Sequence, residues 1–330
     1  MTQASLRKQQ TTKSRPWLGL VRRLLLLGAM TQPRPVEPGG VSVVSRRTAQ
    51  RQFLLTPSAI VNDTFEYCLG VAAQRHGVKV HAYVVMSNHY HIVLTDVEGR
   101  LPSFMEWLNG KIAKALNCHY GRSENFWSSD PYSRVDLLDR EAVYRMLVYT
   151  LANPVKAGLV KRASDWPGAK SRTLQQGRQV VVTKRPSYYF REKNSLEEQS
   201  SFDVSKPGDF CDMTYEEFGK ALEDALRFEE EEAAAVLRRK KGRRVVGTKA
   251  ILSQSPYDLP KTAACRGQLN PRVAAGCKQL RSDKLKALAR WIDAYKEALE
   301  EFMAGARDVI FPAGTYLMRV RYAVRCALPP

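Results

Sequence analysis

The segment "VKVHAYVVMSNHYHIVLTD", residues 78–96, determines the prediction of the fold. Its first half, residues 78–86, is rich in β-branched residues, which favour a strand. The dipeptide Ser-Asn at 87–88 is typical of a turn, and residues 89–96 resume the β-rich pattern. The segment therefore predicts two antiparallel strands joined by a tight turn.

The sequence on both sides of this hairpin predicts further strands and helices. They are a strand within 41–55, a helix at 56–77, a helix at 101–121, a strand at 133–138 and a helix at 139–160. Thr56 or Ser58 can cap the first helix and Gly77 can end it, whereas Pro154 should end or bend the last helix. This order predicts an α+β fold in which helices pack on an antiparallel sheet.

The composition indicates a polyanionic partner. Lys and Arg number 52 against 33 Asp and Glu, which gives a formal net charge of +19. An excess of this size is typical of proteins that bind nucleic acid or an acidic membrane face. No run of about 18 apolar residues is present, so no transmembrane span is expected. The 6 cysteines are scattered and form no C-x-x-C pair, which argues against a disulfide framework and favours a reducing, cytosolic setting.

Changes in composition divide the chain into three parts. Residues 1–40 are polar, basic and rich in Pro and Gly towards their end, which predicts a disordered leader, and Met30 could be the true first residue. Residues 41–180 hold the predicted α+β domain. Residues 181–330 predict a mostly helical region of unknown role, with the clearest helical pattern at 282–305.

Two histidines in the hairpin are candidate metal ligands. Side chains alternate across a strand, so His89 and His91 share one face. Two adjacent imidazoles can bind one divalent metal, although an isolated His-x-His pair more often has a structural role. Tyr149 and Asn153 lie four residues apart in the last predicted helix and therefore face the same side. A tyrosine can attack phosphorus and an amide oxygen can complete a metal shell, although a tyrosine in a helix taken alone more often serves packing.

Two motifs together resemble a known family. The segments "VMSNHYHIVL" (85–94) and "YTLANPVKAGLV" (149–160) resemble the single-tyrosine transposases of the HUH endonuclease superfamily, and most of all their REP-associated branch. The segments "NFWSSDPYSRVDLL" (125–138) and "SDWPGAKS" (164–171) are also similar to landmarks of that family. The resemblance extends over residues 41–175 or so, and the combination of motifs is specific.

The resemblance implies a fold, an activity and a site. The fold would be a ferredoxin-like antiparallel sheet with packed helices, followed here by the helical C-terminal region. The activity would be that of a metal-dependent single-stranded DNA endonuclease and strand transferase, acting on hairpin-forming repeat DNA. Tyr149 would be the nucleophile that forms a 5′-phosphotyrosine, and His89, His91 and Asn153 would hold Mg²⁺ or Mn²⁺. Such a protein would act as a monomer or homodimer in a bacterial cytoplasm, on nucleoid DNA and without a membrane partner.

Basic and aromatic residues around this core are candidate DNA contacts. Lys156 follows Tyr149 by seven residues, close to two helical turns, and Trp127 could stack on a base. The full candidate set is Arg46, Arg47, Arg51, Lys111, Lys114, Arg122, Trp127, Arg134 and Lys156. Six of the seven residues 238–244 are Lys or Arg, which predicts either a second phosphate-binding strip or a basic linker.

Other readings of the sequence stay open. Tyr144 and Tyr132 are rival nucleophiles, but Tyr149 alone has an Asn at the next helical turn. The chain could instead be a catalytically silent hairpin-DNA binder or repressor with the same fold. A replication initiator often carries a Gly-x-x-x-x-Gly-Lys-Ser/Thr loop, which the sequence lacks. A zinc hydrolase would need a third ligand at fixed spacing, which the sequence does not offer.

Overall fold

The computed structural model describes residues 33–174, 177–190, 196–239, 244–261 and 271–328. Residues 1–32 of the predicted leader, and residues 240–243 of the basic stretch, lie outside the described residues. The chain forms two compact units, one spanning Val36–Leu288 and the other comprising residues 289–328 with 33–35. The domain boundary predicted at residue 180 stays a prediction.

The first unit is built on four strands and two helices in the order β-α-β-β-α-β. In chain order these are β1 Gly40–Arg47, α1 Ala59–His76, β2 Val78–Met86, β3 His89–Asp96, α2 Leu101–His119 and β4 Ser133–Leu137. The four strands lie in the spatial order β2-β3-β1-β4, and every neighbouring pair is antiparallel. This topology is the ferredoxin-like arrangement, which confirms the predicted fold class.

Local signals set the ends of these elements. The Ser58 side chain accepts a hydrogen bond from the Val61 N–H at 3.2 Å, and Gly77 ends α1 with a left-handed φ of 62°. Both features were predicted, and Gly suits this position because a Cβ disfavours positive φ. In the hairpin, Met86 pairs with His89, so Ser87 and Asn88 form the two-residue turn.

The two faces of the sheet carry different helices. On one face, Tyr90 donates a hydrogen bond to the Asn109 amide oxygen of α2 at 2.7 Å, and its ring lies 5.2 Å from that of Phe65 on α1. Helix α3, Arg140–Lys156, packs on the opposite face against β1, β2 and β3. Asp139 caps this helix by accepting from the Ala142 N–H at 2.8 Å, and the helix ends two residues after Pro154.

Strands from later in the chain extend the sheet to seven within the described residues. The hairpin of β5 Gln179–Lys184 and β6 Gln199–Val204 adds to one edge, with β6 parallel to β2. The short β7, Val273–Ala274, is parallel to β4 at the other edge. The sequence did not predict these strands.

Helices follow in the rest of the described chain, as predicted for the C-terminal region. They are α4 Tyr215–Arg239, α5 Thr248–Leu252, α6 Lys278–Ala304 and α7 Leu317–Tyr322. The second unit has its own small core of Ala298, Phe302, Phe311 and Met318, and a two-stranded sheet of β8 Ile310–Phe311 and β9 Arg325–Cys326. In the described part of the chain, no helix has the length and apolar character needed to cross a membrane.

Candidate active site

The two histidines lie side by side on the face of β3 that α3 covers. Their ring centroids are 5.0 Å apart and the rings are nearly perpendicular, at 89°. This placement follows from the alternation of side chains along the strand, because Tyr90 between them points into the opposite layer. The pair is half-buried at the end of the hairpin, next to the turn.

Asn88 fixes the orientation of the first histidine. Its amide oxygen lies 2.7 Å from His89 Nδ1, and its amide nitrogen donates to the Arg51 carbonyl at 3.2 Å. Because the amide oxygen can only accept, Nδ1 carries the proton and Nε2 carries the lone pair. Outer-layer partners of this kind orient metal-binding histidines. Sequence reasoning missed this residue, although its place directly before the histidine pair was a usable signal.

Both imidazoles are held in the neutral form. Burial, reinforced by the nearby Arg47 charge, lowers the pKa of His89 to about 4. Burial, reinforced by His89, lowers the pKa of His91 to about 3. A neutral imidazole offers a lone pair, which is the state that binds a cation.

Helix α3 brings Tyr149 and Asn153 to the same place. The Tyr149 ring lies edge-on to His91 with centroids 5.6 Å apart, and 38% of the residue is exposed. One turn later, Asn153 is buried and its side chain hydrogen-bonds to His89. The four residues proposed from the sequence therefore form one cluster, with the phenol accessible from solvent.

The rival tyrosines lie elsewhere. Tyr144 donates its hydroxyl to the Ala221 carbonyl at 2.8 Å and packs on Phe210, so it faces α4. Tyr132 is partly buried and lies near Arg46 on the other side of the sheet. Of these three tyrosines, Tyr149 alone has its ring in edge-on contact with the histidine pair.

The donor set suits a hard or borderline divalent cation. Among the residues that the structure describes, no three His, Cys, Asp or Glu side chains gather into a metal site. His89 and His91 supply two nitrogens and Asn153 an amide oxygen, and the exposed side of the cluster is open to further oxygen ligands. Mn²⁺ accepts imidazole together with oxygen ligands, and Mg²⁺ is usually completed by water and substrate phosphate. The residues present therefore fit Mg²⁺ or Mn²⁺ with substrate and water oxygens in the remaining positions.

Three of the candidate DNA contacts lie on the histidine side. Arg47 pairs with His89 across β1 and β3, and its guanidinium meets Asp130 at 3.3 Å near the surface. Arg51 lies next to the turn, where its carbonyl accepts from Asn88. Lys156 places its ammonium 5.9 Å from the centroid of the Tyr149 ring. These cations can contact a phosphate backbone that passes over the cluster.

Arg46, Trp127 and Arg134 lie on the opposite side of the sheet. Arg46 pairs with Tyr90 and stacks its guanidinium over Trp127 at 5.7 Å. The Trp127 indole is buried, with its N–H donating to the Asn109 carbonyl at 2.9 Å. Trp127 therefore belongs to the core, unlike the exposed stacking surface predicted from the sequence. Arg134 forms a largely covered ion pair with Asp136 at 2.6 Å.

The remaining candidates are associated with α2 and the loop after it. Lys111 lies over the Trp107 ring at 5.7 Å, and Lys114 is exposed on the same helix. Arg122 lies over Tyr257 at 5.7 Å. Because α2 covers the face opposite the histidines, the structure does not bring Lys111 and Lys114 to the cluster.

Comparisons with known proteins agree with the motifs. The family model of IS200-like transposases matches residues 43–135, which include β1, the histidine hairpin and α2. The resemblance to single-tyrosine transposases is thus confirmed for this segment. No curated protein matches the chain.

Two solved structures are similar to part of the chain. A REP-associated tyrosine transposase bound to a REP hairpin is 21% identical, covers 42% of this chain and 81% of its own, with a TM-score of 0.36. A protein of Deinococcus radiodurans R1 described as a transposase is 18% identical, covers 32% of this chain and 85% of its own, with a TM-score of 0.25.

Proposed function

We propose that this protein is a metal-dependent single-stranded DNA endonuclease and strand transferase, acting through a covalent tyrosine adduct. The observation that supports it most is the contact between an exposed phenol and a neutral histidine pair. The Tyr149 ring contacts the His91 ring, and the Asn153 side chain hydrogen-bonds to His89. The family match over residues 43–135 supports the same class of reaction.

The proposed reaction is a transesterification. The Tyr149 oxygen bonds to phosphorus while the bond from phosphorus to the 3′ oxygen breaks. The phenolic proton is lost and the leaving oxygen gains one, so the products are a 5′-phosphotyrosine and a free 3′-OH. A 3′-OH can then attack the adduct, which releases Tyr149 and rejoins DNA without a nucleotide energy source.

The proposed ligands for Mg²⁺ or Mn²⁺ are His89, His91 and Asn153. Bound there, the ion would polarise the non-bridging phosphate oxygens and make phosphorus more electrophilic. Neighbouring groups keep the two histidines in the orientation and the protonation state that metal binding requires. Asn88 orients His89 through Nδ1, and burial keeps both rings neutral.

The proposed substrate is single-stranded DNA that forms hairpins, as the resemblance implies. Its phosphates would run past Arg47, Arg51 and Lys156, which lie on the histidine side. Action on nucleoid DNA in the cytoplasm, and the choice between monomer and homodimer, stay predictions.

The test is adduct formation on a denaturing gel. The protein, Tyr149→Phe and Tyr144→Phe are incubated with Mn²⁺ and labelled single-stranded hairpin DNA from beside the gene. We expect a protein–DNA adduct with the unchanged protein and with Tyr144→Phe, and none with Tyr149→Phe or with EDTA. Tight binding without an adduct in any divalent metal would favour the catalytically silent hairpin binder instead.

A further inference from the structure

Lys156 at the end of α3 lies between the candidate nucleophile and a carboxylate. Its ammonium is 5.9 Å from the centroid of the Tyr149 ring and 2.7 Å from Glu229 Oε2 on α4. The ammonium thus contacts the phenol ring and the carboxylate at the same time, next to the histidine pair. Lys156 is close enough to Tyr149 to bind a phosphate that this tyrosine attacks. In the structure, however, the ammonium is already paired with the carboxylate of Glu229.

The packing of α4 on α3 holds Glu229 in this position. Phe218, Leu222 and Leu226 are buried along the inner face of α4, and Tyr144 of α3 donates to the Ala221 carbonyl at 2.8 Å. Glu229 lies three residues beyond Leu226, so it continues the side of α4 that faces α3. The carboxylate is thus delivered to Lys156 by a packed helix.

The neighbouring residue fixes the same end of α4. Glu230 accepts a hydrogen bond from the Ala163 N–H at 2.8 Å, just beyond α3. Because contacts lie both before and after Glu229, the ion pair is part of the helix interface. It is not a chance approach of two mobile side chains.

The ion pair is open enough to exchange its anion. The side chain of Lys156 is 41% exposed and that of Glu229 is 27% exposed. Ion pairs near the surface contribute little net free energy, because water and salt compete with them. A non-bridging phosphate oxygen is an acceptor of the same kind as a carboxylate oxygen, so it can replace Glu229 on the ammonium.

We propose that the Lys156 ammonium binds the DNA phosphate that Tyr149 attacks. In the absence of DNA, the Glu229 carboxylate stays paired with this ammonium, and the phosphate displaces the carboxylate when DNA binds. The inference rests on the proposed function. Glu229 is then an internal competitor for DNA at the reacting end of α3. Its effect is to weaken the binding of strands that bring a phosphate to Lys156, because the ammonium must first be released from the carboxylate.

The first test compares two charge removals on the same helix. Glu229→Gln and Glu231→Gln are each combined with Tyr149→Phe, so that binding is measured without cleavage. Glu231 is exposed on α4, and its change alters the net charge equally. At low salt we expect Glu229→Gln to bind single-stranded hairpin DNA roughly three- to tenfold more tightly, and Glu231→Gln to stay within about twofold of its parent.

The second test asks whether Glu229 acts through Lys156. In a double-mutant cycle, the gain from Glu229→Gln should vanish when Lys156 is already Met, because no ammonium remains to be released. A gain that persists beside Lys156→Met would contradict the proposal and indicate general repulsion between α4 and DNA. Circular dichroism of each variant shows whether the fold is retained.

Adduct formation by the otherwise unchanged protein separates this inference from the proposed function. If the protein forms the adduct but Glu229→Gln binds and cleaves DNA as Glu231→Gln does, the competition is wrong and the function stands. If the protein forms no adduct in any divalent metal, the proposed function fails and this inference fails with it.

Discussion

The phenol ring of Tyr149 stands edge-on to the imidazole of His91, with 5.6 Å between centroids and 87° between planes. The two residues lie 58 positions apart in the sequence. They meet because α3 packs on the face of β3 that carries the histidines. The fold therefore assembles a nucleophile and two neutral nitrogen donors from two elements.

Asn88 should matter for metal binding although it is not a proposed ligand. Asn88→Ala removes the acceptor that fixes the His89 tautomer, so we expect Mn²⁺ affinity to fall by about 10- to 100-fold. Electron paramagnetic resonance of free Mn²⁺ during a titration measures this. Asn88→Asp keeps an acceptor and should retain most of the affinity. Equal affinity in Asn88→Ala would contradict the assigned hydrogen bond.

Arg47 and Lys114 should differ in their effect on DNA binding. Arg47 shares the histidine face, whereas Lys114 is exposed on α2, which covers the other face. Arg47→Ala should reduce the slope of log affinity against log salt by about 0.7 for single-stranded DNA, and Lys114→Ala should leave it unchanged. Fluorescence anisotropy at several salt concentrations gives both slopes. A larger effect at Lys114 would move the DNA path to the other face.

Trp127 should affect stability more than DNA binding. Its ring is buried and its N–H is bonded to the Asn109 carbonyl. Trp127→Ala should lower the free energy of unfolding by about 3–5 kcal/mol, and Trp127→Phe by less. Urea denaturation measures the loss. Unchanged stability together with weaker DNA binding would restore the stacking role predicted from the sequence.

His81 should make stability depend on pH. Burial lowers its pKa to about 4, and its ring nitrogens lie 2.7 Å from the Ser205 carbonyl and from the Thr95 hydroxyl. The unfolded chain takes up this proton near an ordinary pKa of about 6.5, so stability falls as pH drops from there to about 4. The slope of the unfolding free energy against pH reflects the proton that only the unfolded chain binds at His81. Replacing His81 with Gln should reduce this slope by up to about 1.4 kcal/mol per pH unit, which corresponds to one proton. Urea denaturation across this range measures the slopes, and parallel curves for the two proteins would contradict the assignment.

The sequence predicted those parts of the fold that depend on short-range patterns. The hairpin, the Ser58 cap and the Gly77 stop follow from residues close together in the chain. The Tyr149–Asn153 pair follows from helical spacing, and its meeting with the histidines was implied by the family resemblance.

Features that depend on long-range packing were not predicted. The pairing of β6 with β2 and the ion pair of Lys156 with Glu229 join residues that no local period connects. Arg46 and Arg47 look equivalent in sequence, but adjacent residues of a strand face opposite sides of the sheet. Arg46 therefore lies against the Trp127 ring, whereas Arg47 lies beside His89. Trp127 looked like an exposed aromatic because its burial depends on β1 and α2 together.

The most direct test of the central proposal is to identify the residue that carries DNA after the reaction. Trypsin releases residues 146–156 as the peptide "MLVYTLANPVK", whose only tyrosine is Tyr149, whereas Tyr144 and Tyr132 fall in other peptides. After nuclease trimming of the adduct, mass spectrometry should find a phosphate-linked nucleotide on Tyr149 in this peptide. A nucleotide found instead on the peptide of Tyr144 or Tyr132 would contradict the assignment of the nucleophile.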